Sequence, residues 1–206
     1  MSQQIFPTKG NLIATQKSLS LAQMGYDLLD RKRNVLIREM MGLIDKAKNI
    51  QSDIDATYKE AYASLQKANI TLGMCESIAE GIPLEDGIEI NTRTVMGVPL
   101  PTLELQKKQE TLIPYGFSST NVLLDDAYRA FQKVKELTLL LAEVENSVYR
   151  LAVSIKKTQK RANALKNIMI PKFNEDIKYI SDYIDEKDRE EFSRLKVIKA
   201  KKNKED

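Results

Sequence analysis

A hydrophobic seam runs unbroken from Val134 to Met169. Val134, Leu137, Leu141, Val144, Val148, Leu151, Ile155, Thr158, Ala162, Leu165 and Met169 follow one another at alternating steps of three and four, and only Thr158 among them is polar. Alternating steps of three and four return each residue to the same side of an α-helix, so the run predicts one helix with a narrow apolar stripe along its length. A stripe this long buries itself only against a partner of comparable length, supplied by the rest of the chain or by another copy.

The N-terminal third offers that partner. Leu12, Leu19, Ala22, Tyr26, Leu29, Leu36, Met40, Leu43, Ala47, Ile50 and Ile54 keep heptad spacing, with Thr15 and Arg33 interrupting. The stripe then moves to Tyr58, Ala61, Leu65, Ala68 and Leu72. The step from Ile54 to Tyr58 adds a second consecutive four, a stutter that relaxes a left-handed supercoil. A helix from about Leu12 to about Ala79 is predicted, on the order of 100 Å long at 1.5 Å per residue. Gly25, Gly42 and Gly73 interrupt it. Each costs roughly 1 kcal/mol against Ala, and they read either as places where a close helix–helix approach or a bend offsets that cost or as glycines tolerated in an overlong helix. Pro7-Thr8 suits a helix start after a loose Met1–Phe6, and Gly81-Ile82-Pro83 suits its end.

Residues 80–120 read differently. Gly87 to Thr92 alternates like a strand, Arg93 to Val98 fits a second, and Met96 to Pro101 reads as an extended piece stopped by prolines. A short β-hairpin and loop follow from this. Ser118-Ser119-Thr120-Asn121 then offers helix caps, with Asp125 and Asp126 in the first turns where the helix dipole favours acids. A second helix runs from 121 towards 200, kinked or locally broken at Pro171, before a tail at 201–206. Beyond the proline the stripe resumes at Phe173, Ile177, Ile180 and Ile184, then Phe192, Leu195 and Ile198. The expected fold is all-α: one elongated domain made of a long antiparallel two-helix coiled coil, with the hairpin insert between its helices.

The residue inventory excludes much chemistry. The 206 residues contain no His, no Trp and a single Cys, Cys75. His-based triads, most zinc sites and intrachain disulfides are therefore ruled out. Lys9-Gly10 lacks the spacing of a phosphate-binding loop. No catalytic residue, metal or cofactor is expected. No apolar run approaches the ~18 residues of a membrane span, and the polar N-terminus lacks a signal-peptide core, so a cytosolic protein without membrane insertion is expected. The net charge of +3 gives no reason to expect nucleic acid. Charge is nevertheless patterned. Asp182 to Glu191 holds six acids and two bases, while Arg194 to Lys204 holds six bases and no acid. Arg31-Lys32-Arg33, and Lys156-Lys157 with Lys160-Arg161, are further basic clusters. Each reads either as a solvated helix face or as a surface for acidic partners.

Several stretches resemble the D subunit of the V-type (A/V-type) ATPases. These are Pro7-Thr8-Lys9 with Leu12; Ala22-Gln23-Met24-Gly25 with Leu28-Leu29 and Lys32; Asn91 to Pro101, centred on Val95-Met96-Gly97-Val98; and Lys157 to Leu165 followed by Ile170-Pro171, with Glu190-Glu191-Phe192 and Arg194-Leu195-Lys196. Gln159 and Ala162 stand where that family more often has Arg and Val, and Asp30 where a Lys is common. The resemblance implies a non-catalytic central-stalk rotor that couples ATP hydrolysis or synthesis on a ring of A and B subunits to a membrane ring. Its implied partners are those A and B subunits, the F subunit of the central stalk and an adaptor subunit. On this reading Lys32, Arg33, Lys160, Arg161 and Arg194 meet the catalytic ring, while Met96, Val98 and Tyr115 meet the F subunit or the adaptor. A prefoldin-like coiled-coil chaperone and a structural scaffold are the alternatives.

Overall fold

The computed structural model describes residues 6–83, 86–105, 114–116, 118 and 120–205. The expected loose start at residues 1–5 and the loop at 106–113 lie outside them. Two long helical stretches flank a two-stranded hairpin, as the seams predict. Helix α1 spans Lys9–Leu72 and is followed by a short α2, Glu76–Glu80. Strands β1 (Ile88–Val95) and β2 (Val98–Leu105) come next. Helix α3, Val122–Ala164, passes through a π-helical turn at Leu165–Met169 into α4, Ile170–Glu205.

The chain divides into two compact units, Met1–Asn34 with Lys156–Asp206, and Val35–Ile155. In the first unit Lys9 approaches Asp188, Gly25 faces Leu165 and Arg33 bonds to Gln159, so its helices pair antiparallel. Ala22, Ala162 and Ile180 are buried there, as are Thr15 and Thr158. The Thr15 hydroxyl donates to the Asn11 carbonyl at 2.8 Å, which makes a polar residue tolerable on an otherwise apolar stripe.

In the second unit Leu36 and Leu151 are fully buried with Val98 and Leu100 of the hairpin. Ala61 packs with Ala130 and Val134, and Ala68 with Cys75 and Leu124. Small residues thus let α1 and α3 approach at successive levels. Ile54, Tyr58 and Ala61 are all withdrawn from solvent, so the burial follows the stutter.

The helix ends rest on the expected chemistry, except at one place. Thr8 caps α1, its Oγ1 accepting from the Asn11 N–H at 3.2 Å, and Asn121 caps α3 by accepting from Leu124 N–H at 3.1 Å. The sequence expectation carries the first helix to about Ala79, but α1 stops at Leu72. Gly73 adopts φ +82°, a left-handed conformation that terminates a helix, and its N–H still reaches the Asn69 carbonyl.

The second difference lies at Pro171. A proline inside a helix lacks an N–H and crowds the carbonyl one turn back. Here the break takes the form of a π-turn, in which the Ile170 N–H bonds to the Leu165 carbonyl five residues back. The wider turn inserts one residue into the seam. Met169, expected on the stripe, is 39% exposed, and Ile170 is drawn inward instead.

The hairpin turn is also displaced from expectation. It lies at Met96-Gly97, with φ 49° and 76°, the backbone of a type I′ turn. Val95 stands opposite Val98, and Ile88 opposite Leu105. A two-residue turn makes Val95–Val98 a hydrogen-bonded pair, and bonded and non-bonded pairs alternate from there. Pro99 and Pro101 therefore occupy non-bonded positions, with their nitrogens facing away from β1. The prolines leave the ladder intact, so the strand runs through them.

Candidate partner-binding surfaces

Among the described residues no cluster of three or more Cys, Asp or Glu could hold a metal, and no helix is long and apolar enough to cross a membrane. What the chain offers is surface. The basic residues singled out from the sequence fall into two classes. Lys160, Arg161 and Arg194 are exposed, Arg194 lying 3.7 Å from Glu190. Lys32 is half-buried. Arg33 is held inside the pair: its Nη1 donates to Gln159 Oε1 at 2.7 Å and its Nη2 pairs with Asp30 at 2.7 Å. Two of the three residues that depart from the resembled family's pattern, Asp30 and Gln159, thus both serve Arg33. The Arg33–Gln159 bond also places Lys32 and Lys160 at one level of the first unit.

Further along α4, Lys187 bonds to Glu190 at 3.0 Å. The bond raises the lysine's pKa and lowers the glutamate's.

Of the three insert residues, Met96 is exposed at the turn tip. Val98 is turned inward against Leu36 and Leu151, because it shares a strand face with Leu100 and that face lies on the helices. It holds the hairpin down and is not itself available to a partner. Tyr115 is half-buried, its hydroxyl donating to Asp125 Oδ1 at 2.7 Å and its ring edge-on to Tyr128. Burial, then the hydrogen bond to Asp125, push the phenol's pKa well above its ordinary value.

The structure also exposes apolar residues that the seam argument passes over. Leu21, Met24 and Leu28 lie on α1 at spacings of three and four, a second stripe turned to solvent. Ile88 and Ile90 are exposed on β1, and Phe192, Leu195 and Ile198, which the sequence places on the resumed stripe, are exposed on α4 instead of buried. The i, i+3, i+7 spacing of Leu21, Met24 and Leu28 is visible in the sequence. Beside a stronger heptad seam it reads only as a broad apolar face.

Antiparallel helix pairs with exposed charged and apolar outer faces define a class, the mostly helical coiled-coil proteins. The family model for the D subunit of ATP synthase matches residues 11–200. The chain is 50% identical to the D subunit of a V-type ATP synthase from Thermotoga neapolitana, over 96% of this chain and 98% of that one. It is 38% identical to the D subunit of an A-type ATP synthase from Pyrococcus horikoshii over 95% and 94%, and 34% identical to that of Methanobrevibacter smithii over 98% and 89%. The chain belongs to the family of ATP synthase D subunits. Its members are central-stalk components of V/A-type ATPases, and they carry no catalysis themselves. Membership leaves the chaperone and scaffold alternatives without support.

Proposed function

We propose that this chain is the turning shaft of its ATPase, carrying torque between a ring of three A and three B subunits and the membrane rotor. The observation that carries the reading is the family match over residues 11–200, coinciding with two antiparallel helix pairs. A shaft formed from two different helices of one chain has no rotational symmetry. Each of three catalytic interfaces then meets a different face and holds a different affinity for nucleotide. Turning the shaft exchanges those states, a coupling of distant sites through one moving element.

Lys32, Lys160, Arg161 and Arg194, with the exposed stripe of Leu21, Met24 and Leu28, form the surface for the catalytic ring. Arg33 supports that surface from within the helix pair. Met96 and the exposed residues of the hairpin face the F subunit or the adaptor, and so does Tyr115, which packs apart from the hairpin core, against Ala68 and Leu124. The complex lies at the cytoplasmic side of its membrane, and this chain is peripheral to it.

Native mass spectrometry of the complex, tagged on this chain and purified gently, tests the proposal. One copy beside three copies each of two nucleotide-binding subunits is the expected result. A small homo-oligomer would overturn it. Charge reversal at Lys160 and Arg161 tests the assigned surface: the expected result is weakened coupling of ATP hydrolysis to ion movement, and unchanged assembly and coupling would remove these residues from it.

A further inference from the structure

Among the described residues, the hairpin closes the outer edge of β2 and leaves that of β1 without a strand partner. Pro99 and Pro101 remove two donors from the outer side of β2, and α3 takes up two of the groups that remain. Glu143 Oε2 accepts from the Leu103 N–H at 2.9 Å, and Arg150 Nη1 donates to the Pro99 carbonyl at 3.2 Å. These bonds independently fix the register, since positions 99 and 103 must then point away from β1. By the same alternation the backbone groups of Ile88, Ile90, Thr92 and Thr94 point outward from β1. Seven of the eight β1 residues are exposed. This edge carries no proline, no lysine and no bulge, and its two charged residues, Glu89 and Arg93, lie on the face it shares with Val98 and Leu100.

We infer that β1 is a docking edge for one extended segment of another subunit of the same ATPase, which adds to the hairpin as a third strand. A row of donors and acceptors at every second residue is matched only by an extended backbone. Ile90 is 70% exposed and Ile88 42%, and both share the outward-facing side of the hairpin with Leu103 and Leu105. The incoming segment therefore carries apolar side chains at alternate positions opposite the isoleucines. That the occupant is a different polypeptide rests on the stalk reading above, because membership in the D-subunit family places the chain in a complex with other ATPase subunits.

Residue-resolved amide hydrogen exchange, on the isolated chain and on the purified complex, tests this. The amides of Asn91 and Arg93 lie inside the ladder and are protected in both. The amides of Ile90, Thr92 and Thr94 exchange freely in the isolated chain and slow by about a hundredfold in the complex, as pairing on the outer edge requires. Thr92→Pro removes one outward donor without touching the ladder, as Pro99 and Pro101 do on β2. It should weaken retention of the docked partner by at least about tenfold, while Thr92→Ala retains it. Continued protection of Asn91 and Arg93 in the proline variant verifies that the hairpin still folds.

Co-purification of the ATPase subunits with Ile90, Thr92 and Thr94 still exchanging fast would overturn this inference and leave the stalk reading standing. Protection already present in the isolated chain would also overturn it. If that protection grew with concentration alongside a dimer in sedimentation, a second copy would be the occupant. Failure of any ATPase subunit to co-purify would overturn both readings together.

Discussion

Arg33 and Gln159 join the two helices of the first unit through a single 2.7 Å hydrogen bond, with a charged donor, at a position where a coiled-coil seam is otherwise apolar. Asp30 balances the charge from the same helix, at 2.7 Å. The arginine side chain is only 25% exposed. Its cost on the stripe is therefore met largely by three side-chain partners, Gln159, Asp30 and, at 3.4 Å, Asn34. In unfolding by urea, a double-mutant cycle of Arg33→Ala and Gln159→Ala should give a coupling of about 1 kcal/mol. Asp30→Ala, which removes a partly exposed pair three residues away, should cost less than about 1 kcal/mol. Gln159→Arg would set two guanidinium groups against each other and should be more destabilising than Gln159→Ala. Zero coupling would make Arg33 a solvated cation that merely lies near Gln159.

The glycines of α1 separate by backbone, not by type. A Cβ on Gly25 would sit 3.7 Å from Leu165 Cδ1, an ordinary contact, and a Cβ on Gly42 would meet nothing within 4 Å. Both substitutions to alanine should stabilise the helix, each by up to about 1 kcal/mol. Gly73 is the opposite case. At φ +82° an alanine is strained, so Gly73→Ala should cost about 1 kcal/mol or more. Thermal unfolding of the three single variants checks the signs. A stabilised Gly73→Ala would mean that α1 simply continues when permitted, as the hydrophobic pattern by itself suggests.

That contrast bears on what the sequence makes legible. Heptad spacing names many of the buried residues of α1 and α3 because the stripe is itself the cause of burial, but Leu124, Ala127, Ala130 and Ser147 are buried outside the seam it marks. Leu36, Ala61, Leu151 and Ala162 all lie where it places them. Backbone register is harder to see. Pro171 marks a break, but only hydrogen-bond geometry reveals that the break is a π-turn that moves burial from Met169 to Ile170. The hairpin is misplaced for a similar reason. Met96 occupies a left-handed conformation that non-glycine residues rarely adopt, and two prolines read as stops until the pairing register puts them on an outer edge. The partner surface is the least legible part. Val98 and Ile90 are both apolar residues of one alternating pattern. Only the placement of the hairpin on Leu36 and Leu151 decides that Val98 is covered and Ile90 is open.

Tyr115 gives the second unit a dependence on alkaline pH. Its phenol is held above the ordinary value of 10.0 by burial and then by donation to Asp125. A group whose pKa is raised on folding contributes stability that is complete below its unfolded value and is lost as the pH rises through its folded one. Stability should therefore fall above about pH 10, where the unfolded chain gains a negative charge that the folded site resists. Tyr115→Phe should lose about 1 kcal/mol at neutral pH and show a shallower decline above pH 10. Chemical denaturation at pH 8 and pH 11 for both proteins measures the difference. Parallel declines would show that the Tyr115–Asp125 bond does not control the titration.

The π-turn makes the sharpest distinction between adjacent residues. In an uninterrupted heptad Met169 is a seam residue and Ile170 a neighbour turned away from it. The bond from Ile170 N–H to the Leu165 carbonyl inserts one residue and reverses those roles. Ile170→Ala should then cost about 2 kcal/mol, at the low end for a partly buried isoleucine, while Met169→Ala should change stability by less than about 0.5 kcal/mol. Pro171→Ala separates cause from coincidence. If the proline imposes the turn, its removal lets the α-helical bond pattern return, and the seam shifts back onto Met169. In the Pro171→Ala background the order should then invert, with truncation at Met169 becoming the more costly. Denaturant midpoints of the four variants, each measured against its own parent, read this directly. An unchanged order in that background would place the origin of the turn in the packing of Leu165 against α1 near Gly25, and Pro171 would be a residue the turn accommodates rather than one that creates it.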